Sequence, residues 1–369
     1  MERTSSHDHA FLASVAGLVL FGLAMLATAS AVLAFNHTSD NYFYLKRQLV
    51  NGVIPGALLF FLVSRVHYEK LRKFAFPFMI GAVILTALVL VPHFGITENG
   101  ATRWLKVGSF SFQPSEILKL ASVLYLAALF EPKKKNVAKE GFVPFLFISG
   151  VVAFLLISQP DMGTLGVILI TAFAVYFFAG AKPVHLLAIV LIGIIALSAF
   201  VYVKGYAWDR VEVYLNPGKD AQGAGYQVNR ARSMIRSGGI FGIGYGQSQQ
   251  KSTAFLPEPM GDSIFAVTAQ ELGFMGVAGA VALFSVLGWQ GFRIARDSHT
   301  AFGRMLAGGI TVWILAQAFI NIGAISGIVP LTGIPLPFVS YGGTSLVVLL
   351  TACGIVYSIQ RSCNAKHET

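Results

Sequence analysis

Long apolar runs constrain this chain more than any other feature. They recur along the sequence and are separated by short islands of charged residues. A helix needs about 20 predominantly apolar residues to cross a bilayer. Such runs lie at 11–35, 48–64, 74–92, 115–131, 142–158, 162–180, 184–203, 263–289, 303–326 and 341–360. The sequence therefore predicts an all-α integral membrane protein with about ten transmembrane helices.

Composition supports this class and excludes others. Only 12% of residues are charged, against roughly 25% in soluble domains. The net charge is +10, but the basic residues lie between apolar runs and form no basic domain, so we predict no nucleic-acid partner. Two cysteines, Cys353 and Cys363, make a disulfide framework improbable.

Basic residues also predict the orientation of the helices. Fifteen Lys and Arg residues lie in the termini and in one alternating set of connections. The other short connections hold four, which are Lys46, Arg47, Arg103 and Lys106. Because short loops rich in Lys and Arg stay on the cytoplasmic side, both termini are predicted to be cytoplasmic.

The connection over 204–262 differs from the others. Loops this long between packed helices are uncommon and are usually functional or disordered. This one carries several aromatic residues and a glycine-rich stretch over 237–246, where glycine permits tight turns. We interpret it as a folded extracytoplasmic loop between helices seven and eight, within a single transmembrane domain over 1–369.

Asp262 lies where this loop enters the eighth predicted helix. An ionisable group at the bilayer centre costs about 2.5–3.5 kcal/mol on insertion scales, so its presence needs a reason. One interpretation is a helix cap. The other is an acid that faces a polar cavity. Gln270 favours the cavity, because a helix through Asp262 would place Ala266 and Gln270 on the same face.

Lys119 lies inside the fourth predicted helix, which Pro114 is well placed to begin. Glu116 stands three residues earlier, so the two charges could simply neutralise each other. Alternatively, Lys119 is a cation that faces a cavity in the outer half of the membrane. A substrate that carries a diphosphate would need such a charge.

Two stretches interrupt the apolar pattern. The break over 159–164 is interpreted as a turn capped by Asp161. The stretch 327–343 is rich in proline and glycine and cannot be regular helix; at membrane depth, irregular backbone needs surrounding protein or a cavity. It leads through Ser340, Gly342 and Gly343 into the last helix, whose N-terminus could bind an anion or only cap and pack.

Several segments, in this order, resemble the SEDS family (shape, elongation, division and sporulation proteins), which includes FtsW and RodA. They are Thr28-Ala29-Ser30, Lys46-Arg47-Gln48, Arg103-Trp104, Phe112-Gln113-Pro114-Ser115-Glu116 with Lys119, Gln159-Pro160-Asp161-Met162-Gly163-Thr164, Gly223-Ala224-Gly225-Tyr226-Gln227, Ser237-Gly238-Gly239, Gly244-Tyr245-Gly246-Gln247-Ser248, Leu256-Pro257-Glu258 with Asp262, Glu271-Leu272-Gly273-Phe274 and Pro335-Leu336-Pro337-Phe338-Val339-Ser340-Tyr341-Gly342-Gly343. The segments over 246–248 and 271–274 are slightly more similar to the division branch.

The resemblance implies a function and a location. It implies peptidoglycan glycosyltransferase activity on lipid II, ten transmembrane helices in the bacterial cytoplasmic (inner) membrane, and a class B penicillin-binding protein as crosslinking partner, besides other divisome or elongasome membrane proteins and membrane lipid. It also implies that Asp262 is the catalytic acid residue and that Lys119 is required. Met260-Gly261, Ser263, Gln270 and Ser111 depart from the family pattern, which affects details of acceptor binding.

These features give a hypothesis for the site. Asp262 removes the proton of an acceptor hydroxyl, and Lys119 stabilises the departing diphosphate with Arg103 or Arg210. Glu258, Gln270, Ser340, Gly342 and Gly343 are predicted to bind substrate. The sequence has no zinc-ligand spacing and requires no cofactor, although a divalent cation such as Mg²⁺ or Mn²⁺ could share the diphosphate charge.

Two alternatives share the same sequence features. A transporter that flips lipid II would also need polar cavities and broken helices. A non-catalytic scaffold of the division or elongation machinery would need neither Asp262 nor Lys119. Polymer formation from lipid II in detergent, where no flipping is possible, distinguishes these functions.

Overall fold

The structure is a computed structural model that describes residues 3–98, 101–108, 110–131, 137–203, 208, 212, 214–215, 224–248 and 255–365. Its helices are α1 Arg3–Ala29, α2 Ala31–Thr38, α3 Phe43–Gln48, α4 Ile54–Arg65, α5 Leu71–Leu88, α6 Pro114–Leu129, α7 Val137–Glu140, α8 Phe142–Ser158, α9 Met162–Phe178, α10 Pro183–Val203, α11 Ala224–Gly238, α12 Ile264–Asp297, α13 Ala301–Ser326 and α14 Gly343–Ala365. A π-helical turn, Leu49–Val53, joins α3 to α4.

Many of these helices have the length and apolar composition of membrane-spanning helices. Seven stretches of the described residues are long and apolar enough to cross one: His9–Ala29, Phe43–Arg65, Tyr68–Leu88, Pro183–Tyr202, Ile264–Asp297, Ala301–Ser326 and Gly343–Asn364. Helices α8 and α9 are apolar but shorter, and α6 matches the predicted run at 115–131. The multi-pass helical architecture is confirmed, whereas the count of ten spans and the domain bounds stay predictions.

Burial identifies the centre of the bundle. In the most apolar segments of α13 and α14, 67% and 61% of the residues are buried within the protein, whereas none are buried in that of α10. Helix α13 packs against α6, α9, α12 and α14. A polar side chain on the inner face of α13 therefore meets other protein segments rather than lipid.

A small antiparallel sheet lies between α5 and α6. Strands β1 (Gly95–Glu98), β2 (Ala101–Val107) and β3 (Phe110–Phe112) are ordered 1-2-3, with Ile96 opposite Trp104. This sheet is not predicted from the sequence, because strands this short show too few alternations of apolar and polar residues to differ from a loop. Its middle strand places Arg103 against the turn between α8 and α9.

Helix α12 is broken at Gly273, which has φ 65° and ψ −164°. The break removes the helical hydrogen bonds that Phe274 and Met275 would make. Instead, Phe274 N–H donates to Gly239 O at 2.9 Å and Met275 N–H donates to Ile240 O at 3.1 Å. Both donors are thus satisfied by the glycine-rich loop 238–248.

The two carbonyls freed by the same break are satisfied in the same way. Gln270 O accepts from Ile243 N–H at 3.0 Å, and Glu271 O accepts from Gly244 N–H at 3.1 Å. An unsatisfied backbone group in a membrane costs several kcal/mol. The loop therefore replaces the missing helical hydrogen bonds one for one, which allows a span to be broken here.

The buried carboxylate of Glu271 fixes this region to α1. Thr28 Oγ1 donates to it, at 2.6 Å from Oε1 and 2.7 Å from Oε2, and Gly246 N–H donates to Oε2 at 3.0 Å. Tyr245 OH donates to Ala24 O at 2.7 Å. The loop is therefore folded, as predicted for the described part of 204–262, and it packs into the bundle.

The stretch 327–342 contains no helix, as predicted from its prolines and glycines. It is surrounded by protein: a Cβ on Gly22 of α1 would overlap Phe338 O, and Asn321 Nδ2 of α13 donates to Ile334 O at 2.7 Å. Irregular backbone at membrane depth therefore lies where the protein itself supplies its hydrogen-bond partners.

Candidate active site

Asp262 lies one residue before Ser263, the N-cap of α12. It is therefore not the cap itself, and the helix face proposed for Asp262 and Gln270 does not extend to Asp262. Its Oδ1 accepts hydrogen bonds from Gln227 Nε2 of α11 at 3.1 Å and from the Ser263 hydroxyl at 3.4 Å. Its backbone carbonyl accepts from Asn321 Nδ2 of α13 at 2.9 Å. Gln227 and Ser263 thus hold the carboxylate, and Asn321 holds the backbone of the same residue.

The second carboxylate oxygen of Asp262 faces the irregular stretch. A Cβ added to Gly333 would lie 3.8 Å from Oδ2, so the missing side chain leaves space beside this oxygen. The described hydrogen bonds to the carboxylate go to Oδ1. Among the described residues, Oδ2 is therefore the oxygen that is placed to accept a further proton.

The environment of Asp262 changes its acidity. Part of the side chain stays accessible, but protein surrounds the carboxylate on most sides. Desolvation by burial, together with the negative charge of Glu258, raises the pKa of Asp262 to about 7, against the lowering effect of hydrogen bonds from Ser263 and Gln227. A carboxylate with such a pKa can act as a general base near neutral pH.

This pKa predicts a pH dependence. A base must be ionised, so we expect polymerisation of lipid II to decline as the pH falls through about 7. Glu258→Gln removes the neighbouring negative charge, which lowers the pKa of Asp262 and moves this decline to lower pH. The measurement is the initial rate of glycan synthesis by purified protein between acidic and alkaline pH. The control is Glu69→Gln, at an exposed position before α5; an equal displacement in that variant contradicts the assignment.

Glu258 is the predicted site residue that lies beside Asp262. It is exposed, and its backbone has φ 49°. Its carbonyl accepts from Gly261 N–H at 3.0 Å and from Ser263 N–H at 3.2 Å. A Cβ on Gly261 would lie 3.2 Å from Glu258 Oε2. Because glycine has no side chain, there is room at this position for the carboxylate of Glu258.

Lys119 lies in the protein interior, with 3% of its side chain exposed. Its Nζ donates to Glu116 Oε1 at 2.8 Å and to Gln317 Oε1 at 2.7 Å, and lies 5.4 Å from the ring centroid of Trp313. The neutralisation by Glu116 is therefore present in this structure. An ammonium has three N–H donors, so one is left for a substrate, and the role of Lys119 towards a diphosphate stays a prediction.

One face of α13 connects Lys119 to the loop of Asp262. Gln317 accepts from Trp313 Nε1 at 3.0 Å and donates through Nε2 to Pro335 O at 3.0 Å. One turn further along, Asn321 donates to Asp262 O and Ile334 O. Sequence reasoning missed Gln227, Gln317 and Asn321 as site residues. A signal existed for the last two, because amide side chains four residues apart in an apolar span seldom face lipid.

Ser340, Gly342 and Gly343 bring the irregular stretch to the site. Ser340 Oγ donates to Gly261 O at 2.7 Å, and Tyr341 N–H donates to Met260 O at 2.8 Å. Gly342 N–H donates to Gln48 Oε1 at 3.1 Å. Gly343 begins α14 close to Asn51. The first two contacts hold Met260 and Gly261, and the other two hold the beginning of α14 against the segment around residues 48–51. Anion binding at this helix terminus stays a prediction.

The remaining predicted residues lie in different surroundings. Arg103 donates to the carbonyls of Gln159 and Pro160. Gln270 accepts from Ser248 Oγ at 2.5 Å and donates to Ser237 Oγ at 3.0 Å, so it binds the glycine-rich loop. Arg210 lies outside the described residues. Substrate binding by these three stays a prediction.

The turn between α8 and α9 agrees with its interpretation. Asp161 Oδ1 accepts from Thr164 N–H at 3.3 Å, which makes Asp161 the N-cap of α9. Its Oδ2 accepts from Ser115 Oγ at 3.2 Å. The cap therefore also connects α9 to the beginning of α6, the helix that carries Lys119.

Comparison with known proteins decides the family. A sequence model described as cell cycle protein, which covers FtsW, RodA and SpoVE, matches residues 8–365. This chain belongs to the FtsW, RodA and SpoVE family. The SEDS resemblance is thereby confirmed, as is the multi-pass membrane character of the protein.

Similar members of the family match the chain over almost its whole length. It is 40% identical over 346 residues to stage V sporulation protein E of Bacillus subtilis strain 168, which covers 93% of this chain and 94% of that protein. It is 35% identical over 361 residues to the probable peptidoglycan glycosyltransferase FtsW of Geobacter sp. strain M18, which covers 97% and 98%.

Solved structures agree with these matches. One similar chain belongs to a structure described as structural coordination of polymerization and crosslinking by a peptidoglycan synthase complex, with a TM-score of 0.81, 30% identity, and coverage of 96% of this chain and 97% of that one. The rod shape determining protein RodA of Thermus thermophilus has a TM-score of 0.71 at 29% identity and covers 96% of each chain.

Proposed function

We propose that this protein is a peptidoglycan glycosyltransferase that polymerises lipid II into glycan strands. The observation that carries the proposal is Asp262: its carboxylate accepts hydrogen bonds from Gln227 and Ser263, its backbone carbonyl accepts one from Asn321, and its pKa is about 7. Relatives named as probable peptidoglycan glycosyltransferases support the same activity.

The proposed reaction is a single displacement. Asp262 accepts the proton of the acceptor sugar hydroxyl, whose oxygen forms a bond to C1 of the donor sugar. The bond between C1 and the phosphate oxygen breaks, and undecaprenyl diphosphate leaves with the electron pair. One displacement inverts the anomeric centre, as in inverting glycosidases.

Positive charge near the leaving group completes this proposal. The diphosphate is already a good leaving group, so neutralising its charge matters more than protonating it. Lys119 keeps one N–H for this task while Glu116 and Gln317 orient its ammonium. Arg103 and Arg210 are the other proposed cations, and a divalent cation such as Mg²⁺ or Mn²⁺ could share the charge. Among the described residues, no group of three or more His, Cys, Asp or Glu side chains could hold a metal ion.

The deciding experiment supplies lipid II to the purified protein in detergent. Glycan polymer is expected, because the glycosyl transfer reaction does not require an intact membrane. A transporter of lipid II would give no polymer under these conditions. A scaffold would give none either, and would keep its cellular function after substitution of Asp262, provided that the protein accumulates. Polymer that disappears with Asp262→Asn therefore separates the enzyme from both alternatives.

Partner and location complete the proposal. We propose a class B penicillin-binding protein as the crosslinking partner, alongside other membrane proteins of the division or elongation machinery, in the bacterial cytoplasmic membrane with both termini in the cytoplasm. A similar solved chain comes from a complex that coordinates polymerization and crosslinking. The rate of polymerisation with and without the partner tests whether activity depends on it.

A further inference from the structure

A cavity of about 310 Å³ lies beside α11, on a face of the helix that differs from the one next to Asp262. It is lined by Arg232, Ile235, Arg236 and Ser326. Arg232 and Arg236 are four residues apart, so both guanidinium groups project from one face of the helix. At 100° per residue, Arg236 lies roughly 180° around the helix from Gln227, which contacts Asp262. The cavity is therefore separate from the proposed catalytic carboxylate.

The charge of this cavity is not neutralised by the described residues. Among them, no carboxylate lies within 4.0 Å of either guanidinium group; the described ion pairs involve other residues. Arg232 donates one N–H to Gly327 O at 2.9 Å, at the C-terminal end of α13. A guanidinium has five N–H donors, and this bond accounts for one of those on Arg232, whose guanidinium packs against Gly327.

A neighbouring arginine shows the contrast. Arg230, two residues before Arg232, stacks over the rings of Tyr226 at 4.9 Å and Phe255 at 4.5 Å. Its guanidinium is therefore used within the protein. Arg236 is exposed and has no aromatic or acidic neighbour among the described residues. The two arginines of the cavity are thus two positive charges that no acidic group of the described residues neutralises.

Exposed apolar side chains follow the residues that line the cavity closely in the sequence. Ile240 and Phe241 follow the end of α11, and Ile328 follows Gly327; their exposed fractions are 62%, 81% and 69%. Helix α13 is a membrane span that ends at Ser326, so the cavity lies at the level where a span meets the polar surface of the bilayer. Cationic groups beside exposed apolar side chains at this level match a lipid with an anionic head group.

We propose that Arg232 and Arg236 form a binding site for the phosphate of a membrane lipid. Two guanidinium groups on one helix face suit the several acceptor oxygens of a phosphate, which arginine binds through paired N–H donors. The volume is at the small end of ligand pockets, so it accommodates a head group and leaves the hydrocarbon chains to the apolar surface. Either an isoprenoid diphosphate or a phospholipid carries this chemistry.

The site shares two elements with the surroundings of Asp262. The carbonyl of Gly327 that binds Arg232 begins the irregular stretch, and Gly333 of that stretch faces Asp262 Oδ2. Helix α11 likewise carries Gln227 and, about 1.4 and 2.5 turns later, the two arginines. A lipid phosphate bound here would therefore contact α11 and Arg232, which binds the beginning of the irregular stretch.

Binding of two probes to the purified full-length protein in detergent tests the proposal. The probes are farnesyl diphosphate and phosphatidylglycerol, titrated with native mass spectrometry as readout. We expect Arg232→Gln with Arg236→Gln to weaken binding by roughly tenfold or more, since the substitutions remove both positive charges and their charge-assisted hydrogen bonds to the phosphate. Arg236→Gln alone should lose part of the affinity, and Arg236→Lys should retain more of it. The matched control is Arg296→Gln, which changes an exposed arginine at the C-terminal end of α12.

The two probes distinguish the sources of the phosphate. Arginine-dependent binding of farnesyl diphosphate alone supports a subsite for an isoprenoid diphosphate, and equal dependence for phosphatidylglycerol supports a phospholipid site. Equal affinity of the wild type and the double variant for both probes overturns the proposal. Arg236 is exposed, so its variants test binding without a change in folding, which thermal unfolding verifies. Because binding is measured without catalysis, the result is independent of the proposed function.

Discussion

Asp262→Asn is expected to abolish polymerisation of lipid II while leaving the protein folded. The amide keeps the Oδ1 acceptor for Gln227 and Ser263, so the loop is retained, but it cannot take up the hydroxyl proton. Loss of a general base lowers rates by roughly 10²- to 10⁴-fold. The measurement is the rate of glycan formation by purified protein, with thermal unfolding followed in parallel.

Two comparisons make this result specific to Asp262. Asp297→Asn changes an exposed carboxylate at the C-terminal end of α12, the helix that begins next to Asp262, and its polymerisation rate is expected to stay unchanged. Asp262→Ala is expected to be as inactive as Asp262→Asn. Glycan product near the wild-type level from both Asp262 variants would eliminate the assignment of Asp262 as the general base.

Gly273→Ala is expected to destabilise the protein strongly. Its φ of 65° is a strained conformation for alanine, and the new Cβ would overlap Gly242 N and Ile240 O, both backbone atoms that cannot move aside independently. Backbone strain and overpacking each cost about 1–3 kcal/mol. We therefore expect a loss of roughly 3 kcal/mol or more, measured as a lower unfolding temperature and a lower yield of folded protein in detergent.

Gly279→Ala is the matched control, because Gly279 lies in the same helix. A Cβ there meets no atom within 4 Å, and its φ is not in the left-handed region. Alanine in a regular helix is more favourable than glycine by roughly 0.5–1 kcal/mol, so this variant should be as stable as the wild type or slightly more so. Equal destabilisation by both substitutions would contradict the role assigned to the break.

The sequence could predict the helices because each apolar run is long enough to leave few alternatives. It could also identify Asp262 and Lys119, because a charged residue beside a span is rare and calls for an explanation. What it could not give was how these residues are held. The contact between Gln227 and Asp262 joins two elements that are 35 positions apart, and no local pattern encodes it.

Other differences have identifiable physical causes. The face proposed for Asp262 and Gln270 assumed a helix that continues back through Asp262, whereas α12 begins at Ile264. Gln270 contacts Ser237 and Ser248 because the glycine-rich loop enters the break beside it. That loop contacts α12 through backbone atoms, whose hydrogen bonds depend on conformation and not on side-chain identity. Its glycines predicted turns, but not the partner that those turns would contact.

The break in α12 has a mechanical consequence for Asp262. Across Gly273, four backbone hydrogen bonds join the helix to the glycine-rich loop instead of joining its own two parts. Two of these bonds reach the stretch Ile264–Leu272, which begins two residues after Asp262, and two reach the part of the helix beyond Gly273. The loop thus acts as a splint across the break, and a force that displaces it would be transmitted to both parts of the helix, including the part next to the carboxylate.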